Sequence, residues 1–244
     1  MGTLIHITRR ELAAYFSTPL AYVFLVIFLT ADAGMTFFLG NFFDRGQADL
    51  TPFFLFQPWL LLALVPAIGM RLWAEERRSG TIEMLMTLPI STWQAVGGKF
   101  LAGWIFAGIA LALTFPIWLT VNYLGSPDNG VILASYIGSF LMAGAFLAIS
   151  ACMSALTGNQ VVAFVLSIAV GFLMMLSGID SVLGVLRSIA PNFAVEFLGT
   201  LSLLGHFSTI TSGVLDFRDA FYFISFIVLC LFINAQIVEL KRGA

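Results

Sequence analysis

Few residues in this 244-residue chain have the types that do chemistry, and their one dense run is Arg71-Leu72-Trp73-Ala74-Glu75-Glu76-Arg77-Arg78-Ser79-Gly80-Thr81-Ile82-Glu83. Adjacent glutamates can hold a metal or move a proton when histidines or other ligands converge on them. The chain has only His6 and His206, one in the N-terminal helix and one in a long outer segment, so no metal site is expected. Cys152 and Cys230 both lie inside apolar runs and read as small buried hydrophobes, not as a disulfide or ligand pair. No serine or cysteine has a base within plausible reach. Gly98-Lys99 lacks the upstream glycine of a phosphate loop, so no nucleotide cofactor is expected on this chain. No basic patch interleaved with aromatics suggests nucleic acid. The remaining chemistry of the run is recognition, with fixed charge presented at a membrane face.

The elements that position this run are apolar helices. The chain is 60% hydrophobic and 10% charged, and its mean hydropathy of +1.00 excludes an ordinary soluble domain. At about 20 apolar residues per span, there is room for six helices with short loops. The expected architecture is an all-α polytopic membrane protein forming a single transmembrane domain. Its spans are 20–39, 53–72, 100–121, 131–156, 161–176 and 220–238. Residues 3–18 are too polar to span. Leu4, Ile5, Ile7, Leu12, Tyr15 and Phe16 cluster on one side of a helix that also carries Arg9, Arg10 and Glu11, which describes an interfacial helix stopped by Pro19. Ala31-Asp32-Ala33 has the form of a cleavage site, but apolar sequence resumes at Met35, so the segment is expected to stay. Asp32 is an acid near the far end of span one, where water or a neighbouring helix can satisfy it. Pro58 and Pro66 are tolerable in span two because adjacent helices satisfy freed carbonyls.

Ser91-Thr92-Trp93-Gln94 reads as a capping box, and Lys99 as a cation that snorkels to the interface. Gly125-Ser126-Pro127-Asp128-Asn129-Gly130 and Thr157-Gly158-Asn159-Gln160 are turns. Residues 177–218 form the longest interruption. They are too apolar for a water-exposed loop and too charged for a seventh span, because Arg187 would sit mid-bilayer. Two short re-entrant or interfacial helices divided at Pro191-Asn192 are expected there, with Leu183, Leu186 and Arg187 on the first. At the next boundary Asp216 can cap span six, Asp219 lies near its positive end, and Arg218 can pair with either acid.

After Gly80 the charged run becomes helical in pattern, with Ile82, Leu85 and Leu88 three apart and Pro89 as the stop. Glu83 then sits in a first turn, where a helix dipole favours a carboxylate. A solvated loop joining two spans is the plainer reading, though loops are usually less helical and less charged than this. Six spans place Arg9, Arg10, Arg71, Arg77, Arg78, Lys99, Lys241 and Arg242 on one side, and Arg45, Arg187 and Arg218 on the other. Eight against three puts both termini and the charged run in the cytoplasm.

The ordered run from Met70 to Glu83, with Pro89 following, resembles the segment between the second and third spans of type 2 ABC exporter permeases. That resemblance implies a coupling helix within residues 73–90, seated in a cleft of a separate ATPase subunit. Arg71, Glu75, Glu76, Arg77, Arg78, Gly80, Thr81 and Glu83 would be the coupling residues. It also implies two ATPase copies, with Mg-ATP bound by that partner, and a permease homodimer in the bacterial inner membrane. A second stretch, His206-Phe207, Ser212 to Asp219 and Tyr222-Phe223, resembles the gliding-motility-associated branch. The family also resembles the permease of the copper-enzyme maturation transporter. Scarce charge inside the spans favours an apolar or amphiphilic cargo. The alternative is force transmission to an extracytoplasmic accessory protein. In either case residues 177–218 would form an outer gate or docking segment that uses Leu183, Leu186, Arg187, Asp216, Arg218 and Asp219. The paired glutamates also resemble the Glu-Glu-x-x-x-Arg of intramembrane prenyl-protein proteases, but Gly80 occupies the arginine position.

Overall fold

The computed structural model describes residues 2–80, 91–187, 191–213 and 216–241, and every regular element among them is helical. In chain order these are α1 Gly2–Phe16, α2 Pro19–Gly34, α3 Thr51–Gly69, α4 Arg71–Ser79, α5 Thr92–Ala112, α6 Phe115–Leu124, α7 Asn129–Leu156, α8 Gln160–Leu176, α9 Asp180–Arg187, α10 Asn192–Thr200, α11 Leu203–Thr211 and α12 Phe217–Leu240. A π-helical turn, Met35–Leu39, extends α2. Among the described residues five helical segments are long and apolar enough to cross a bilayer: Pro19–Leu39, Thr51–Ser79, Thr92–Leu124, Asn129–Leu156 and Phe217–Leu240. Helix α8 is apolar but has 17 residues. That gives it a length of roughly 25 Å, short of a typical hydrocarbon core of about 30 Å.

Helix α7 is the axis of the bundle. In its most apolar window 78% of the residues are buried, against 17% for the α2 segment, so α7 is the core and α2 lies on the periphery. The reason is the run of small residues. Ser135, Gly138, Ser139, Ala143, Gly144, Ala145 and Ala148 are all buried and let neighbouring helices approach closely. A Cβ on Gly144 would lie 2.8 Å from both Ile227 of α12 and the Trp104 indole of α5. That indole is stacked on Phe140 with ring centroids 4.6 Å apart and donates to the Phe140 carbonyl at 2.8 Å. Helix α1 is held in the same way. A Cβ on Gly98 would come within 2.6 Å of Ile7, and the rings of Tyr15 and Phe16 both lie 5.5 Å from Phe106.

The helix starts follow from local chemistry. Ser91 and Gln94 form the full reciprocal capping box on α5. Asp128, Asn159 and Asp216 each accept hydrogen bonds from the first backbone N–H groups of α7, α8 and α12.

Three expectations are corrected. The expected span 53–72 ends as α3 at Gly69, and a separate helix starts at Arg71. The expected span 100–121 breaks at Leu113–Thr114, because Pro116 has no N–H for the Ala112 carbonyl. Residues 177–218 form three short helices among the described residues, not two. The third arises because Ser202 caps α11 by accepting from the Gly205 N–H, and because Leu203, Phe207 and Ile210 are buried in the core, Ile210 facing Gly138 of α7. Asp32 meets a neighbouring helix through one hydrogen bond, its Oδ1 accepting from Gln57 Nε2 at 3.0 Å.

Candidate functional site

Helix α4 shows why the charged run adopts a fixed shape. In an unbroken helix the N–H groups of Trp73 and Ala74 would bond to the carbonyls of Gly69 and Met70. Here Ser154 of α7 intervenes: its hydroxyl oxygen accepts from both N–H groups at 3.0 Å and donates to the Met70 carbonyl at 2.8 Å. The inner face of α4, made of Leu72, Trp73 and Ala74, is buried, and the outer residues Glu75, Arg78 and Ser79 are exposed. Gly80 ends the helix in the left-handed conformation, φ 71°, which suits a residue without Cβ.

Charge on this face is ordered in two layers. On the outer edge Arg71 donates to both carboxylate oxygens of Glu75 at 2.9 and 3.1 Å. Beneath it the Lys99 ammonium lies 2.7 Å from Glu76 and 3.5 Å from Glu11, and 5.5 Å from the Trp73 ring centroid. Arg71, Glu75, Glu76 and Lys99 line a cavity of about 300 Å³ together with Glu11 and Tyr15 of α1. Arg77 has two buried guanidinium nitrogens, Nε and Nη2, with no hydrogen-bond partner among the described residues. At the same end the Lys241 ammonium donates to the Leu156 carbonyl at 2.5 Å, and burial, with the nearby Arg77 charge, lowers its pKa.

The expected coupling residues Arg71, Glu75, Glu76, Arg77, Arg78 and Gly80 therefore share one short helix and its cap. Thr81, Glu83 and the expected helix through Ile82, Leu85 and Leu88 to Pro89 lie outside the described residues. Lys99 does not snorkel. It is 4% exposed and forms the centre of the ion network. Sequence reasoning missed Lys99, Glu11 and Ser154 as parts of this site. The available signal was a lysine inside an apolar helix, which requires a counter-charge from elsewhere.

The outer residues do not gather into one site. Leu183, Leu186 and Arg187 all fall on α9. Asp216 caps α12 as expected, but among the described residues neither Arg187 nor Arg218 pairs with Asp216 or Asp219. Asp219 pairs instead with His206 Nδ1 at 2.6 Å, and the imidazole stacks on Tyr222 with centroids 3.9 Å apart. The Tyr222 hydroxyl donates to the Leu201 carbonyl at 2.6 Å. This fastener ties α11 and its leading turn to α12. Arg218 could not have filled that role, since its side chain lies on the exposed side of the helix.

Such a molecule is a multi-pass helical membrane protein with a short amphipathic helix seated on one charged end. Residues 47–233 match the family described as ABC-2 family transporter protein, and the chain belongs to that family. It is a permease subunit of an ABC transporter, a membrane transport component whose family partners an ABC ATPase subunit and is generally not itself catalytic. No curated protein matches the chain.

Proposed function

We propose that the chain couples ATP hydrolysis on a separate ATPase subunit to movement of an apolar or amphiphilic cargo, with α4 as the coupling helix. The observation that carries this reading is the two-sided build of α4. Its inner face is fixed to the bundle by Ser154 and Lys99, and its outer edge offers Glu75 and Arg78 to a partner. A helix held in this way passes a push on its outer edge into α7 and α5. In this reading α8 is the fifth of six spans, both termini and α4 are cytoplasmic, and two permeases and two ATPases form the complex in the bacterial inner membrane. The second stretch of resemblance, from His206 to Phe223, supports the gliding-motility-associated branch and force transmission to an extracytoplasmic accessory protein. Helices α9, α10 and α11, the last fastened to α12, would then be the outer surface on which such a protein acts.

Glu75→Lys tests the coupling role. Glu75 belongs to a half-exposed pair four residues apart on one helix. Such a pair contributes about 0.3–0.5 kcal/mol, so the fold should survive. Reversing an interface charge costs about 2–5 kcal/mol when its partner is desolvated, which weakens ATPase association roughly thirty-fold or more. Co-purification and ATP hydrolysis measure this, and wild-type stimulation in the variant would remove α4 from the coupling role.

Orientation has its own test. Single cysteines replacing Asp49 and Asp128, in a background lacking Cys152 and Cys230, should react with impermeant maleimide from outside intact cells. Cysteines replacing Arg78 and Asn159 should react only after the membrane is opened. The reverse pattern would invert the chain.

A further inference from the structure

Asp32 is an acid that the coupling mechanism does not use. It lies 13 residues after Pro19, the first residue of α2, roughly 20 Å along the helix from the charged end. It is 3% exposed, and its only hydrogen-bond partner among the described residues is the neutral amide of Gln57. Two further buried oxygens near it in the fold have no partner among the described residues. One is Gln57 Oε1, on the amide that donates to Asp32, and the other is Thr36 Oγ1, one turn further along and inside the π-helical stretch. π-Helical turns recur at functional sites. A cavity of about 310 Å³ opens beside this group, between α2 and the break ahead of α6. Asp32, Thr114 and Thr120 supply its polar wall, and Ala33, Phe37 and Leu113 part of its apolar one. Leu113 is 46% exposed, so the cavity opens at the outside of the bundle.

We infer that Asp32 and this cavity form a binding site for the ammonium head of a cationic amphiphile, whose apolar tail lies along α2 and α6. An ionised Asp32 supplies negative charge where, among the described residues, no basic side chain lines the cavity, and a buried charge without a counter-charge is costly. An ammonium offers three donors, one for Asp32 and others for the Thr114 and Thr120 hydroxyls on the cavity wall. The Phe37 ring on the cavity wall is a further surface that favours a cation. A zwitterionic or anionic head fits poorly, because its phosphate would meet the same carboxylate. A proton would also neutralise Asp32, and in that case an amine and an alcohol of equal chain length would compete equally for the cavity. The site names the class of amphiphile in the proposed cargo reading and rests on that reading only for transport; binding is separate.

The test uses the whole chain in phosphatidylcholine nanodiscs, with radiolabelled dodecylamine as probe and empty nanodiscs as the blank. Saturable binding is expected, with dodecanol a competitor at least ten-fold weaker. Asp32→Asn keeps an acceptor for Gln57 but should weaken dodecylamine about ten-fold or more, since a charged partner is lost. Ala33→Trp fills the cavity without touching charge and should abolish binding. It carries the test alone if Asp32→Asn does not fold. Glu75→Lys should bind the amine normally, which keeps failure of this site distinct from failure of the coupling helix. Equal competition by dodecanol, binding that is unchanged in Asp32→Asn and Ala33→Trp, or no saturable binding would each overturn the proposal.

Discussion

Lys99→Met is expected to cost about 3–5 kcal/mol of stability, the range for removing one partner of a buried ion pair. Lys99 is 4% exposed and sits 2.7 Å from Glu76 and 3.5 Å from Glu11, whose side chains are 20% and 19% exposed. Removing the ammonium takes a buried cation from two carboxylates that line a cavity of about 300 Å³ between α1, α4 and α5, although Glu11 keeps the exposed Arg10 at 2.8 Å. The cation also rests over the Trp73 ring, so the indole loses a partner too. The double variant Lys99→Met with Glu76→Gln should recover most of the loss, because a neutral pair of similar volume avoids the desolvation that the ion pair has to offset. Thermal unfolding in micelles across the four-member mutant cycle measures this. Equal melting of single and double variants would show that the ion pair does not hold α4. Glu75 and Glu76, adjacent in sequence, therefore have separate roles: Glu76→Lys should damage the seat of the helix, and Glu75→Lys only its outer edge.

Ser154→Ala is expected to loosen the joint between α3 and α4 and to lower transmission more than ATPase binding. One hydroxyl serves three backbone groups there, the N–H of Trp73, the N–H of Ala74 and the carbonyl of Met70. Leaving such buried groups unsatisfied costs about 1–3 kcal/mol. The chain has a remedy, because the two N–H groups can return to the Gly69 and Met70 carbonyls if α3 continues straight into α4. The predicted result is a shifted and broadened distance distribution between spin labels at positions 78 and 159. ATPase association should be near normal and its stimulation reduced. Ser154→Thr keeps the oxygen and should restore both. An unchanged distribution with unchanged stimulation would show that the break at Met70 needs no help from α7.

Sequence and tertiary structure divided the determination of this protein by the range of the interactions involved. Apolar run lengths marked the five helical segments that are long and apolar enough to cross a membrane, since a bilayer demands about 20 such residues in a row wherever they fall in the fold. The caps at Ser91 and Asp216 were legible because donor and acceptor lie within one turn of each other along the chain. The charged run marked itself as a water-facing element because nothing else in the chain was as polar. The break at Met70 was not legible, because its cause is a hydroxyl 81 residues from Trp73. The partner of Lys99 stayed hidden for the same reason: Glu11 and Glu76 reach it only once α1 and α4 lie against α5. The His206–Asp219 pair required α11 to fold back onto α12, while sequence proximity favoured Arg218. In each of these cases the chain supplied a group that needed a partner. Packing around α7, where small residues let the helices close in, decided which partner it met.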